Sequence, residues 1–398
     1  MSEILNSAIR SVQQSKAAWC RFITGNDTGK TGSHQAGFYI PKCASSLLFD
    51  EPGRKGEFKE KTVKVKWQDD FTTESCMKYY GQKTRNEYRI TRFGHGFPFL
   101  QDDNVGDLLI LAKFTEDDYA GYVLSSDEDI DAFFAAFNLA PDETNQLIDV
   151  SGSIKPSQKI AQLLKEFADR FEDFPETRIM AAGAQECYNK AHRITDRVLQ
   201  KQPDKILTDW IDTETALFKC LEEKVYADML LQRFESVEAF TEKANQVLNR
   251  RKSRAGKSLE HHLSAIFLRN ELIFEEQAVT EDNKKPDFLF PNAECYHNFQ
   301  FPAEDLTMLG AKTTCKDRWR QVINEADRIW PKHLFTLQPG ISKNQLKEMA
   351  DNQVMLVVPQ KNISTFPVEY QSSLSNLSGF IQMVRKKQES LPKYYILS

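Results

Sequence analysis

The chain has 398 residues. At roughly 150 residues per domain that is too long for one compact unit, and it allows two or three, each able to bury a core. Its residues are 40% hydrophobic and 27% charged, with 27 Phe against 17 Gly and 15 Pro, which excludes a disordered, collagenous or low-complexity chain. Lys and Arg number 52 against 57 Asp and Glu, a net charge of −5. No basic coat covers this protein, so any contact with nucleic acid must come from local clusters.

The N-terminus, MSEILNSAIRSVQQSKAAW, has no signal-peptide pattern. It reads as an amphipathic helix with Ile4, Leu5, Ala8, Ile9 and Val12 along one side. No run approaches the ~18 continuous apolar residues of a membrane span. Seven cysteines (Cys20, Cys43, Cys76, Cys187, Cys220, Cys295, Cys315) are scattered without a CxxC pair and read as reduced thiols. The expectation is a soluble, cytoplasmic protein with no membrane partner.

Short strands follow. In 62–67, Val63, Val65 and Trp67 alternate with Lys64 and Lys66, and 87–93, 108–114 and 119–124 are further strands between Gly, Asn and Asp turns. Strands at this spacing predict a mainly β barrel-like or sandwich domain over 1–150. It closes with a helix from Ser126 or Asp127 through Phe133, Phe134 and Phe137. Residues 151–173 read as a linker carrying the amphipathic helix 158–171. From 174 to 398 the pattern turns to helices at 205–234, 236–249 and 251–270. Strands at 274–279, 287–290, 306–311, 333–337 and 353–358 then alternate with helices at 315–330 and 342–350. That order predicts an α/β fold, a mixed sheet flanked by helices.

The chemistry concentrates between Arg250 and Glu325. In KKPDFLF, Asp287 opens the apolar run Phe288, Leu289, Phe290, and a carboxylate at the head of a buried strand is costly unless it is paired or binds a cation. Further on, LTMLGAKTTC reads as a strand that delivers Lys312. An acid on one strand and a lysine on the next resemble the core of the PD-(D/E)XK nucleases, where acids hold Mg²⁺ and the lysine orients and polarises the attacking water. The second acid of that pattern precedes the lysine by two positions, and here Gly310 stands there. One carboxylate is a poor anchor for Mg²⁺, which takes octahedral oxygen ligation. Glu325 lies at the edge of the stripe Trp319, Val322, Ile323, Ala326 and Ile329 and can take the missing place. Glu260, beside Leu259, Leu263, Ile266 and Phe267, is a further candidate. The plainer reading of the same residues is a surface aspartate, a stem-buried lysine and a helix-face glutamate.

Two basic clusters flank this set. RRKSRAGK holds Arg250, Arg251, Lys252, Arg254 and Lys257, and KTTCKDRWR holds Lys312, Lys316, Arg318 and Arg320, as phosphate contacts would require. Lys316, Asp317 and Arg318 combine a cation for guanine O6/N7 with a carboxylate for the cytosine amino group. RRKSRAGKSLE, KKPDFLFP, KTTCKDRWRQVINEADRI and HLFTLQPGIS together resemble the catalytic domain of EcoRII-type restriction endonucleases, whose second acid has moved to the following helix. The resemblance implies an active site of Glu260, Asp287, Lys312 and Glu325 with Tyr296 nearby. It makes Asp287 and Glu325 the Mg²⁺ ligands, and Lys316, Asp317 and Arg318 readers of C and G in each half-site. Arg254 and Lys257 are the expected DNA contacts of the first cluster.

NDTGKTGSHQAGFYIP and KTRNEYRITRFG resemble the same family's effector domain, a pseudobarrel that binds a second copy of the DNA site. The implied contacts are His34, Tyr39, Lys83, Arg85, Glu87 and Arg89. Arg85, Glu87 and Arg89 lie at period two and would share one strand face, and Tyr88 stands where the family has a lysine. In relatives an Arg and an aromatic clamp flipped central bases; DWIDTETALF offers Trp210, no Arg, and Thr215 at the aromatic's place. The resemblance implies a homodimer acting on double-stranded DNA at two or more CC(N/W)GG-like sites. A cognate methyltransferase would belong to the same system without a stable complex. A DNA-binding regulator that lost cutting is the alternative. TGNDTGKT imitates a nucleotide-binding loop, but Thr24 stands where its first glycine belongs and Gly25 is one residue too close. His261-His262 and Cys295 with His297 lack zinc spacing.

Overall fold

The computed structural model describes residues 2–28, 37–82, 85–137, 139, 141, 144–148, 158–231, 233–389 and 391. The chain forms two compact units, one of 1–152 with 338–346 and 364–371, the other of 153–337 with 347–363 and 372–398. No helix among the described residues is long and apolar enough to cross a membrane.

The first unit opens with α1 (Glu3–Gln14), capped by the Ser2 hydroxyl accepting the Leu5 N–H at 3.1 Å. Its strands are β1 (Ala17–Phe22), β2 (Phe38–Ile40), β3 (Phe58–Trp67), β4 (Phe71–Tyr80), β5 (Glu87–Thr91), β6 (Leu108–Lys113) and β7 (Asp118–Leu124), followed by α2 (Asp127–Phe137). They form one sheet in the order β1-β6-β7-β3-β4-β5-β2, with β3 and β7 parallel and the other pairs antiparallel. The alternation read in β3 is present: Val63, Val65 and Trp67 are buried and Lys64 and Lys66 exposed. Trp19 of β1 and Phe38 of β2, from opposite edges of the sheet, share one aromatic core with Trp67, Tyr79, Tyr88, Phe93 and Phe97. The sheet is therefore curled on that face. On the other face, Leu5, Ala8 and Val12 of α1 and Ile130, Phe133 and Phe134 of α2 cover Phe22, Leu108, Ile110 and Tyr122.

The second unit begins with α3 (Gln158–Ala168), α4 (Thr177–His192), α5 (Asp196–Lys201), α6 (Pro203–Leu231) and α7 (Val237–Arg269). α7 is one continuous helix where the apolar spacing had suggested two. α3 packs Leu164 and Phe167 on Met180, Ala184, Leu217 and Phe218 of α4 and α6. The sheet follows, with β8 (Glu275–Glu276), β9 (Phe288–Phe290), β10 (Thr307–Lys312), β11 (Lys332–Thr336) and β12 (Val354–Val357) in the order β12-β11-β10-β9-β8. β10, β11 and β12 run parallel, and β9 is antiparallel to β10 and β8. α8 (Ala293–His297), α9 (Trp319–Ile323), α10 (Lys343–Asp351) and α12 (Leu377–Glu389) follow in chain order, while α11 (Val368–Gln371) and the first residues of α10 fall in the first unit. Phe267 of α7 joins helix to sheet, its ring within 5.2–6.1 Å of Phe274, Phe288, Phe290 and Phe380. The mixed sheet flanked by helices is the fold expected from the sequence.

One expected element is shorter than its pattern. The helix read over 315–330 is only α9, of 5 residues, followed by a turn in which Ala326 has a positive φ of 50°. Trp319, Val322, Ala326 and Ile329 are all buried, so a short helix and a turn satisfy a spacing that a longer helix would also satisfy.

His333 on β11 is 7% exposed, its ring edge-on to Phe380 at 5.3 Å. Burial, then the charge of Lys387, lowers its pKa from 6.5 to about 4. Below about pH 6.5 the unfolded chain takes up a proton that the folded chain refuses until about pH 4. Stability is therefore complete above that window and falls as pH drops through it. Between pH 7.5 and 4.5 the parent should lose about 2 kcal/mol more than His333→Leu. Denaturant unfolding at the two pH values measures this, and equal losses would contradict it.

Candidate active site

The antiparallel register pairs Phe288 with Leu309, so Asp287, just ahead of β9, falls beside the C-terminal end of β10. Asp287 is 8% exposed. Its Oδ2 accepts the Ala311 N–H at 2.7 Å and the Lys312 ammonium at 3.0 Å, and its Oδ1 accepts Gln277 Nε2 at 3.0 Å. Three donors thus compensate the burial that made this aspartate conspicuous in the sequence. Gln277, in the loop between β8 and β9, carried no signal in the sequence.

Gly310 is where the second acid of the nuclease pattern would stand. A Cβ there would lie 2.8 Å from Val322 Cγ2, too close for any side chain unless α9 moved away. The missing side chain lets α9 settle on β10, and Glu325 follows in the turn after α9 rather than on a helix face. Burial, then the negative charge of Asp287, raises the Glu325 pKa to about 7, opposed by Lys312 and Lys332. Its Oε2 is shut off from solvent without a hydrogen-bond partner. Glu260 on α7 has its proton affinity raised by burial and by Asp287, opposed by Lys257, which binds it at 2.7 Å, and by Lys312. The acids and the lysine read as a set therefore share one neighbourhood.

Among the described residues no group of three or more His, Cys, Asp or Glu side chains is placed to hold a metal ion. Mg²⁺ keeps several waters and is held through one or two carboxylates plus phosphate oxygens. Two like-charged carboxylates, one with a buried and unpartnered oxygen, fit that requirement.

Tyr296, on α8, is not bonded to this group. Its hydroxyl donates to the Glu281 carboxylate and accepts the Arg328 N–H at 3.3 Å. Lys316, Asp317 and Arg318 form a turn between β10 and α9, with three residues between them and Lys312. Arg254, expected at DNA, is 5% exposed, with its guanidinium 5.0 Å from the Phe218 ring and bonded to Thr215 Oγ1 at 3.2 Å. Arg251 in the same cluster makes a two-pronged bond to Glu222 at 2.7 and 2.9 Å. Two members of the first basic cluster thus serve the α6–α7 interface.

In the β unit, Glu87 and Arg89 lie on β5 with Arg89 Nε 3.5 Å from Glu87 Oε1. Arg89 pairs in register with Tyr39 of β2. Arg85 precedes the strand and lies over the Tyr80 ring at 5.7 Å, so only two of the three share the strand face. Tyr88 points the other way, buried, and its hydroxyl accepts the Gly53 N–H at 2.7 Å. His34 and Lys83 lie outside the described residues.

The comparisons with known proteins match this architecture. The family model described as EcoRII C terminal matches residues 218–381, and that described as Restriction endonuclease EcoRII, N-terminal matches 12–144. The Type II restriction enzyme EcoRII of Escherichia coli is 36% identical over 403 aligned residues, covering 96% of this chain and 97% of that protein. Among solved structures, metal-depleted Ecl18kI in complex with uncleaved, modified DNA aligns at 18% identity and a TM-score of 0.46, over 60% of this chain and 86% of that one. The PspGI–substrate DNA complex aligns at 16% identity and 0.45, over 60% and 99%. The two family models and the full-length relative show that the chain belongs to the EcoRII family of type II restriction endonucleases. It is a site-specific nuclease with the DNA-binding domains of that family.

Proposed function

We propose that this endonuclease hydrolyses both strands of double-stranded DNA at a CC(N/W)GG-like palindrome, using Mg²⁺ held by Asp287 and Glu325. The observation that carries the reading is the convergence of the Lys312 ammonium on Asp287 Oδ2 at 3.0 Å, next to a carboxylate with an unpartnered buried oxygen. Mg²⁺, when bound, acidifies a water and neutralises charge on the phosphate. Lys312 steers the attacking water and offsets the charge that develops on the phosphorus oxygens. Glu260, with its raised proton affinity, stands ready to take a proton from that water. Lys316, Asp317 and Arg318 read the C and G edges, with Lys257 on the backbone. A palindrome calls for a two-fold homodimer, since each half-site needs its own reader.

In the same reading residues 174–398 are the catalytic domain, 151–173 the linker and 1–150 an effector domain. The effector domain binds a second copy of the site through Tyr39, Arg85, Glu87 and Arg89, with His34 and Lys83, and restrains cleavage until occupied. The Glu87–Arg89 pair on one half-buried strand face supports this, because an acid and a guanidinium side by side match cytosine and guanine edges.

Lys312→Ala should lower cleavage at least a hundredfold while leaving gel retardation of the same DNA within twofold. Normal cutting by this variant would refute the assignment. Removing residues 1–152, which keeps α3 with the helices it packs on, should raise cleavage of single-site DNA. Unchanged or lower activity would rule out the restraint.

A further inference from the structure

Glu325 has no hydrogen bond on its buried Oε2, so its position is set by the backbone that carries it. That backbone is a turn after a helix of 5 residues, too short to be stable alone. The turn is held from outside on both sides. Lys332 at the start of β11 is 0% exposed, and its ammonium donates to the carbonyls of Glu325 and Ala326. On the amide side, the Asp327 N–H donates to Glu281 Oε2 at 3.2 Å and the Arg328 N–H to Tyr296 Oη at 3.3 Å, with the Tyr296 hydroxyl donating to Glu281. The Arg328 guanidinium binds the carbonyls of Asn298 and Phe301 at 3.2 and 3.0 Å. Four successive residues, 325–328, thus have a main-chain group bound by a side chain of another element.

We infer that Lys332 and the Glu281–Tyr296 pair are positioning residues for Glu325, fixing the turn 325–328 and with it the separation of that carboxylate from Asp287. The inference rests on the reading of Asp287 and Glu325 as the metal-holding pair. Its chemical logic is that of outer groups that orient a ligand without touching the ion, whose removal costs about 10–100-fold in metal affinity. Tyr296 acquires a role distinct from the catalytic one expected of it: it acts through the backbone of Arg328. A lysine buried this completely is otherwise an expensive residue to keep. Here the ammonium is used to bind two carbonyls of the turn.

The test uses the full-length protein and Mn²⁺ alone, with binding followed by loss of the free-ion paramagnetic resonance signal. Lys332→Met should weaken Mn²⁺ binding at least tenfold and Tyr296→Phe about threefold. Retardation of the cognate duplex in EDTA should stay within twofold of the parent for both. Tyr296→Phe removes only one hydroxyl, so it decides the matter should Lys332→Met fail to fold. Asp287→Asn separates the two levels. If it loses Mn²⁺ binding while Lys332→Met and Tyr296→Phe bind as the parent does, the positioning role is wrong and the metal reading stands. If Asp287→Asn also binds as the parent does, the metal reading itself is wrong.

Discussion

The Asp287 carboxylate sits nearly buried at the head of β9, and three donors from two neighbouring segments converge on it: the Ala311 N–H, the Lys312 ammonium and the Gln277 amide. The first two exist only because β9 and β10 are antiparallel and in this register. A slip of one residue would turn Lys312 to the other face of the sheet and leave a buried acid unpaired. The aromatic contacts of Phe267 with Phe288 and Phe290 hold β9 against α7. The same packing therefore protects the register and brings Glu260 toward Asp287.

Around that centre the placement of Glu325 depends on a glycine in β10. Gly310 leaves no room for an acid because Val322 of α9 occupies the space over it, and the close approach of α9 lets the next turn present Glu325 instead. A turn is a less rigid platform than a strand. Three buried or half-buried polar side chains, Lys332, Glu281 and Tyr296, stiffen it. The overall acidity of the chain, −5, is compatible with DNA work for the same reason: charge is distributed by role. Arg251 and Arg254 neutralise or stack within the α6–α7 interface, whereas Lys316 and Arg318 lie in the turn between β10 and α9.

The sequence made the centre of the site legible because burial is expensive for charge. Asp287 before an apolar run and Lys312 at the end of another both signalled a paired position, and both pair with each other. Glu325 was legible as a candidate from its place beside buried residues, but the helix drawn under it was wrong, because periodicity cannot tell a helix from a short helix and a turn that bury the same residues. Lys332 opens the buried run Lys332–Thr336 much as Asp287 opens Phe288–Phe290, and that parallel could have marked it. Basic clustering alone does not foretell that Arg254 packs on α6: a run of arginines on a long helix faces in several directions, and only tertiary packing decides which side meets α6. In the β unit, β3 and β5 to β7 were visible through alternation or apolar runs. β1, β2 and β4 were not read, their patterns being short or interrupted by polar residues such as Thr73 and Ser75, which are buried with hydroxyl partners.

The central claim is that Asp287, Lys312 and Glu325 form a working nuclease centre, and fragment-end sequencing after digestion tests it most directly. Purified protein would be incubated with Mg²⁺ and plasmids carrying several CC…GG sites, and the ends of every product sequenced. The account predicts discrete double-strand cuts at one palindromic motif. Intact plasmid in Mg²⁺, with the same DNA specifically retarded in a gel, would contradict it and leave a DNA-binding protein that has lost its catalytic step.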